Sequence, residues 1–201
     1  MSISKEEKHK RSMQKTKEKV DQRIAEATTE TGIMVVLTGN GKGKSSSAFG
    51  MVMRALGYGQ KVGVVQFIKG QQLSGEEIYI RDRCPEVAFY QMGTGFTWNT
   101  QDRTGDIEAA ERTWAVAESL LSDAEYDLVV LDELTYMIGY HYLEEERVLS
   151  AIQNRPKEQS VIVTGRGGGS ALQALADTVS EVKEVKHAFK SGIKARKGVD
   201  F

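Results

Sequence analysis

The chain has 201 residues, of which 40% are hydrophobic and 27% charged, a composition that supports a buried core and excludes a disordered polymer. A formal net charge of -1 provides no global attraction to nucleic acid or anionic lipid. The single cysteine, Cys84, excludes an intrachain disulfide and a multi-cysteine metal site within one chain.

Residues 1–30 differ in character from the remainder. Lys5, Lys8, Lys10, Arg11, Lys15, Lys17, Lys19 and Arg23 outnumber the acidic residues, and apolar residues are sparse. Val20, Ile24 and Ala27 have i, i+4, i+7 spacing and share one helical face. This segment reads either as a basic tail ending in a solvated helix or as an arm that docks on a partner subunit or over a site. The charged N-terminus lacks the apolar core of a signal peptide, and no apolar run approaches the roughly 20 residues needed to cross a bilayer. A cytoplasmic location, with neither membrane nor nucleic acid as partner, is the expectation.

From residue 31 to 201 the chain reads as one domain. Ile33–Leu37 is an apolar run with strand character, followed by a glycine-rich turn and a helix through Met51 to Leu56, which Gly57 and Gly59 end. Further strands are expected at Val62–Ile68, Val87–Met92, Leu128–Leu131 and Val161–Thr164. Helices are expected at about Asp106–Leu121, where Ile107, Ala110, Trp114, Ala117 and Leu121 have helical spacing, and at Leu143–Asn154 and Ala171–Ala176. Apolar strands separated by amphipathic helices predict an α/β fold with a mostly parallel sheet flanked by helices. A polar tail is expected at the C-terminal end.

The strongest chemical signal is Thr38-Gly39-Asn40-Gly41-Lys42-Gly43-Lys44-Ser45-Ser46, lying between a strand and a helix. Glycines let successive backbone N–H groups turn toward phosphate oxygens, and the following helix adds its positive end. Lys44 supplies a full charge, the Ser45 hydroxyl suits Mg²⁺ (with Mn²⁺ as the alternative ion), and Lys42 is an extra cation inside the loop. Asn40 and Ser46 complete the candidate nucleotide-binding set, with Arg54 on the following helix. The spacing departs from G-x-x-x-x-G-K followed by Ser or Thr, because Thr38 stands where the first glycine belongs and Gly39 comes one residue late.

Tyr126 to Glu133 forms an apolar strand that ends in Asp132-Glu133, delivering carboxylates to the edge where open α/β sheets bind ligands. With a phosphate loop present, at least one of them is expected on the metal, the other reading being that they cap the next turn. Phe96 and Trp98 follow Gly93 and Gly95 and precede Asn99, Thr100 and Gln101, which favours a loop over a strand core. Arg166 follows a strand end near the expected site, but Gly168, Gly169 and Ser170 come after Thr164–Gly167 and make a flexible loop, rather than a ligand contact, the expectation there. His9, His141 and His187 have no triad context.

Several segments, in this order, resemble the P-loop corrinoid adenosyltransferases of the CobA type. They are Thr38–Ser45, Val62–Gly70, Gly93–Trp98, Val129–Tyr136, Thr164–Gly167, Ala176–Glu181 and Val185–Phe189. The resemblance implies a RecA-like P-loop fold, a homodimer, and transfer of the 5′-deoxyadenosyl group of ATP to cob(I)alamin with release of triphosphate. It further implies a nucleotide reversed in the loop, a flavoprotein that reduces Co(II), and metal binding by Ser45 and Glu133, with Ser45 replacing the family's usual threonine. Catalytic roles fall to Lys42 and Lys44, which neutralise the leaving triphosphate. Phe96 and Trp98 would crowd the lower corrin face and displace its axial base. Two other readings use the same loop: a small-molecule kinase, and a RecA-like ATPase or nucleic-acid-binding module.

Overall fold

The computed structural model describes residues 4–68, 73–93, 102–167 and 169–201. The chain forms two compact units, residues 1–30 and 31–201. The first is helix α1 (Lys5–Glu26), started by a capping box in which the Glu7 N–H donates to Ser4 Oγ and the Ser4 N–H to the Glu7 carboxylate. Pairs one turn apart, Gln14 with Glu18 and Lys17 with Asp21, line its surface. No residue of α1 is buried, so the Val20 and Ile24 face is uncovered within this unit.

The second unit is an all-parallel six-stranded sheet. In chain order it runs β1 (Met34–Thr38), α2 (Lys44–Gly57), β2 (Val62–Gln66), α3 (Gly75–Arg83), β3 (Ala88–Gln91) and α4 (Arg103–Ser122). There follow β4 (Leu128–Asp132), α5 (Leu134–Gly139), α6 (Glu145–Gln153), β5 (Ser160–Thr164), α7 (Ser170–Leu175) and β6 (Thr178–Glu181), then a 3₁₀ turn at Ala188–Ser191. The strand order is β3-β2-β4-β5-β1-β6.

Period-two alternation assigns the strand side chains to two cores. Met34, Val36, Val129, Leu131, Val161 and Val163 face the side packed by α4 to α7, around Trp114. Val35, Leu37, Val62, Val64, Val130 and Ile162 face α2 and α3, against Ala48, Phe49, Val52 and Ile80. Strands buried on both faces carry continuous apolar runs for this reason. The fold is therefore a three-layer α/β P-loop fold, as its sequence pattern implies.

Two expectations change. Thr178–Glu181, which reads as part of a polar tail, forms β6, paired with β1 from Val35↔Thr178 to Thr38↔Glu181. All four of its residues are exposed, so this edge strand lacks the apolar alternation that marks the others. The short helices α3 and α5 also escape periodicity: α3 buries only Glu77 and Ile80, and α5 buries Leu134, Thr135, Met137 and Ile138, so neither shows a clear contrast of apolar and polar faces.

Candidate functional site

Parallel strands bring the ends of β1, β4 and β5 to one edge of the sheet, and β5 lies between the other two. A cleft of about 840 Å³ opens there. It is lined by Asn40 to Ser46 of the loop, Phe49, Gln66, Ile68, Ser74 to Glu76, Asp132, Glu133, Tyr136, Arg166, His187 and Gly198 to Phe201.

The loop leaves β1 at Thr38, whose hydroxyl donates to the Gly167 carbonyl at 2.9 Å and ties the strand end to the segment after β5. A β-branched residue is at home in a strand, which is why threonine precedes the turn rather than glycine. Gly39 (φ +99°) and Gly43 (φ +117°) then take the left-handed conformations that reverse the chain, and Gly43 caps α2. A side chain at Gly39 would also meet the Val182 carbonyl at 2.5 Å. Lys44, buried, folds over the loop and donates to the Gly39 and Gly41 carbonyls, both at 2.9 Å. Burial lowers its pKa, with the Arg166 charge acting the same way and Glu133 and Asp132 opposing. Ser45 and Ser46 follow on the first turn of α2, at the cleft.

The two carboxylates that end β4 have different surroundings. Asp132 is buried and doubly bound, its Oδ2 accepting from Gln66 Nε2 at 2.8 Å and its Oδ1 from the Thr164 hydroxyl at 2.6 Å. The same Thr164 oxygen accepts the Glu133 N–H at 3.0 Å. That chain of bonds across β2, β4 and β5 holds Glu133 at φ +60°, a conformation non-glycine residues seldom adopt. Glu133 precedes α5 but makes no side-chain cap, and Oε2 is buried without a hydrogen-bond partner among the described residues. Burial, followed by the neighbouring Asp132 charge, pushes its pKa up to about 7, against the pull of Lys44 and Arg166.

A buried, unpartnered carboxylate oxygen beside a phosphate loop and a serine hydroxyl suits a hard divalent cation. Mg²⁺ is usually held by one or two carboxylates with substrate phosphates rather than by a full protein cage. No group of three or more His, Cys, Asp or Glu that could hold a metal ion occurs among the described residues.

The cleft gathers Gly41, Lys42, Gly43, Lys44, Asn40, Ser45, Ser46 and Glu133, while Gly39 lies behind Lys44 as the carbonyl it binds. Arg54 is not brought in: it is exposed in the last turn of α2, and about ten residues at 1.5 Å each separate it from the loop. Phe96 and Trp98 lie outside the described residues. Arg166, expected in an uninvolved flexible loop, lines the cleft, and its carbonyl accepts the Thr135 hydroxyl at 2.9 Å. Gly165 beside it (φ +147°) allows this approach, since a Cβ there would meet Thr135 Oγ1 at 2.0 Å.

The tail is the other departure. His187 and Gly198 to Phe201 form a wall of the cleft, and Lys42 is paired with Asp200 at 3.1 Å. Polar spacing alone carries no signal for this; only the family resemblance through Val185–Phe189 points to the tail.

Comparison with known proteins agrees with the geometry. Residues 30–201 match the family described as ATP:corrinoid adenosyltransferase BtuR/CobO/CobP. The chain is 56% identical over 200 residues to a corrinoid adenosyltransferase of Pseudomonas aeruginosa, covering 100% of this chain and 98% of that one. It is 50% identical over 196 residues to a corrinoid adenosyltransferase of Escherichia coli K12, covering 98% and 99% respectively. Among solved structures, flagellar accessory protein FlaH from Methanocaldococcus jannaschii is similar in fold, with a TM-score of 0.51 at 12% identity over 81% of this chain and 76% of that chain.

Proposed function

The chain belongs to the ATP:corrinoid adenosyltransferase family and is an enzyme that adenosylates corrinoids; on that premise we propose that it transfers the 5′-deoxyadenosyl group of ATP to the cobalt of cob(I)alamin and releases triphosphate. The observation that carries the ATP half of this reading is the unpartnered Glu133 Oε2, buried in the same cleft as the phosphate loop.

In this reaction the electron pair of Co(I) forms the bond to the ribose 5′-carbon. The bond from that carbon to the triphosphate oxygen breaks with its electrons leaving on oxygen, and cobalt ends as Co(III). The corrinoid is its own nucleophile, so the chain need only hold the reactants in line and neutralise the leaving group. Lys42, Lys44 and the N–H groups of Asn40 and of Lys42 to Ser46 receive the triphosphate charge, the Gly41 N–H being held by the Val182 carbonyl. Ser45 and Glu133 would hold Mg²⁺, which supplies charge neutralisation to the phosphate oxygens. Lys44 meets that charge with little reorganisation, because its hydrogen bonds to Gly39 and Gly41 already fix its ammonium inside the loop.

Phe96 and Trp98 are assigned to the lower corrin face, where aromatic crowding removes the axial base and makes Co(II) easier to reduce. Their support is the Gly-Phe-Thr-Trp segment in its position between β3 and α4. A flavoprotein electron donor, a homodimer, residues 1–30 as an arm of this enzyme and a cytoplasmic location complete the reading. No described helix is long and apolar enough to cross a membrane.

The deciding experiment is an anaerobic incubation of the protein with chemically reduced cobalamin, ATP and Mg²⁺. Light-sensitive adenosylcobalamin together with inorganic triphosphate is the expected result. Protein that binds ATP but leaves the corrin spectrum unchanged would overturn the corrinoid half, and release of ADP would indicate phosphoryl transfer instead.

A further inference from the structure

The phosphate loop meets a protein-supplied anion at its mouth. Lys42 lies between two loop glycines, lines the cleft and pairs through Nζ with Asp200 Oδ1 at 3.1 Å. Asp200 is held in place by its own turn: the Arg196 N–H donates to Asp200 Oδ2 at 2.9 Å, and the Asp200 N–H to the Arg196 carbonyl at 2.8 Å. The segment leading to that turn is fastened to the loop as well. The Val182 N–H donates to the Thr38 carbonyl at 2.8 Å, and the Gly41 N–H to the Val182 carbonyl at 2.7 Å.

We propose that Asp200 is the counter-charge Lys42 exchanges for polyphosphate, so that Asp200 sets how tightly the loop holds its anion. A carboxylate oxygen and a phosphate oxygen compete for the same ammonium donor. Once polyphosphate occupies the cleft, the Asp200 carboxylate stands beside an anion of several charges, and like charges disfavour that state. The pair sits at the rim, with the Lys42 and Asp200 side chains 43% and 27% exposed, so it opens without disturbing the core and is screened by salt. Lys44, by contrast, is sequestered on loop carbonyls, with no carboxylate hydrogen-bonded to it among the described residues. The two loop lysines therefore differ: Lys44 is a fixed charge of the loop, and Lys42 a charge shared between the tail and the ligand. On the adenosyl-transfer reading, free triphosphate has one more ionisable oxygen than the ATP ester, so Asp200 disfavours the product more than the substrate.

The test is calorimetric titration of the full chain with inorganic triphosphate at fixed low ionic strength. Asp200→Asn keeps an acceptor for the Arg196 N–H and removes the charge; it is expected to bind triphosphate about two- to five-fold more tightly than wild type. Asp200→Glu keeps the charge and is expected to bind as wild type does. In a Lys42→Ala background the gain from Asp200→Asn is expected to shrink, as a double-mutant cycle requires of a direct exchange. Unchanged or weaker binding in Asp200→Asn, or an equal gain in Asp200→Glu, overturns the counter-charge. Absence of triphosphate binding to wild type overturns it together with the phosphate-loop reading, which separates the two failures.

Discussion

The cleft has two walls of different construction. One is the phosphate loop with the end of β4, where buried Lys44 is bonded to carbonyls of its own loop and buried Asp132 is bonded to Gln66 and Thr164 of the neighbouring strands. The other is the tail from Val182 to Phe201, held by backbone bonds and by an exposed ion pair. The first wall presents charges whose positions are set before a ligand arrives, as preorganised electrostatics demands. The second is made of contacts a ligand can replace. On the proposed reading, chemistry falls on the rigid side and adjustment of affinity on the soft one.

That contrast orders the expected effects of mutation. Lys44→Ala should be the most damaging, weakening ATP binding on the order of 100-fold or more, because the proposed reading makes this buried ammonium, fixed on the Gly39 and Gly41 carbonyls, the loop's main charge for polyphosphate. Titration with ATP checks it, and near-normal affinity would break the assignment of fixed charge to the first wall.

Asp132→Ala comes next and acts on stability. It removes the carboxylate that accepts from Gln66 Nε2 and from the Thr164 hydroxyl, and should cost about 2–4 kcal/mol in denaturant unfolding. Asp132→Asn, which keeps one acceptor, should cost less. If both variants unfold like wild type, the bonds among Gln66, Asp132 and Thr164 do not brace Glu133.

Glu133→Gln sharpens the comparison by reversing the usual sign. The carboxyl of Glu133 has a folded-state pKa near 7, raised from 4.5, so the folded protein favours the protonated form. Its ionisation therefore adds no penalty below the unfolded-state pKa. The penalty grows as pH rises through the window up to about 7 and is complete above it. In metal-free buffer, Glu133→Gln should melt like wild type at about pH 4 but be more stable at about pH 8, on the order of 2 kcal/mol. The same variant should lose Mg²⁺-dependent activity, so stability and function would separate at one residue. A melting difference independent of pH would remove the ionisation from the explanation.

Smallest of all should be the tail's effect on folding. Asp200→Asn should leave the thermal midpoint unchanged within error, since an exposed pair contributes little to stability. A large drop in that variant would mean that the second wall is structural rather than adjustable.

The sequence by itself determined the sheet's interior and the loop. Buried parallel strands need apolar residues on both faces, so β1, β2, β4 and β5 are visible as Val- and Ile-rich runs, and α2 and α4 as periodic stretches between them. The phosphate loop is legible for a similar local reason: its turn needs left-handed glycines at fixed offsets from a lysine and a serine, all within nine consecutive residues. Which of Asp132 and Glu133 is free for a cation depended on Gln66 and Thr164, residues of strands that only the sheet order makes neighbours. The involvement of Arg166, and the return of the tail to give Lys42 its partner, likewise arise from the tertiary structure. These contacts are polar and join residues far apart in the chain, so they leave no periodic trace, whereas burial and local backbone geometry are written into consecutive residues.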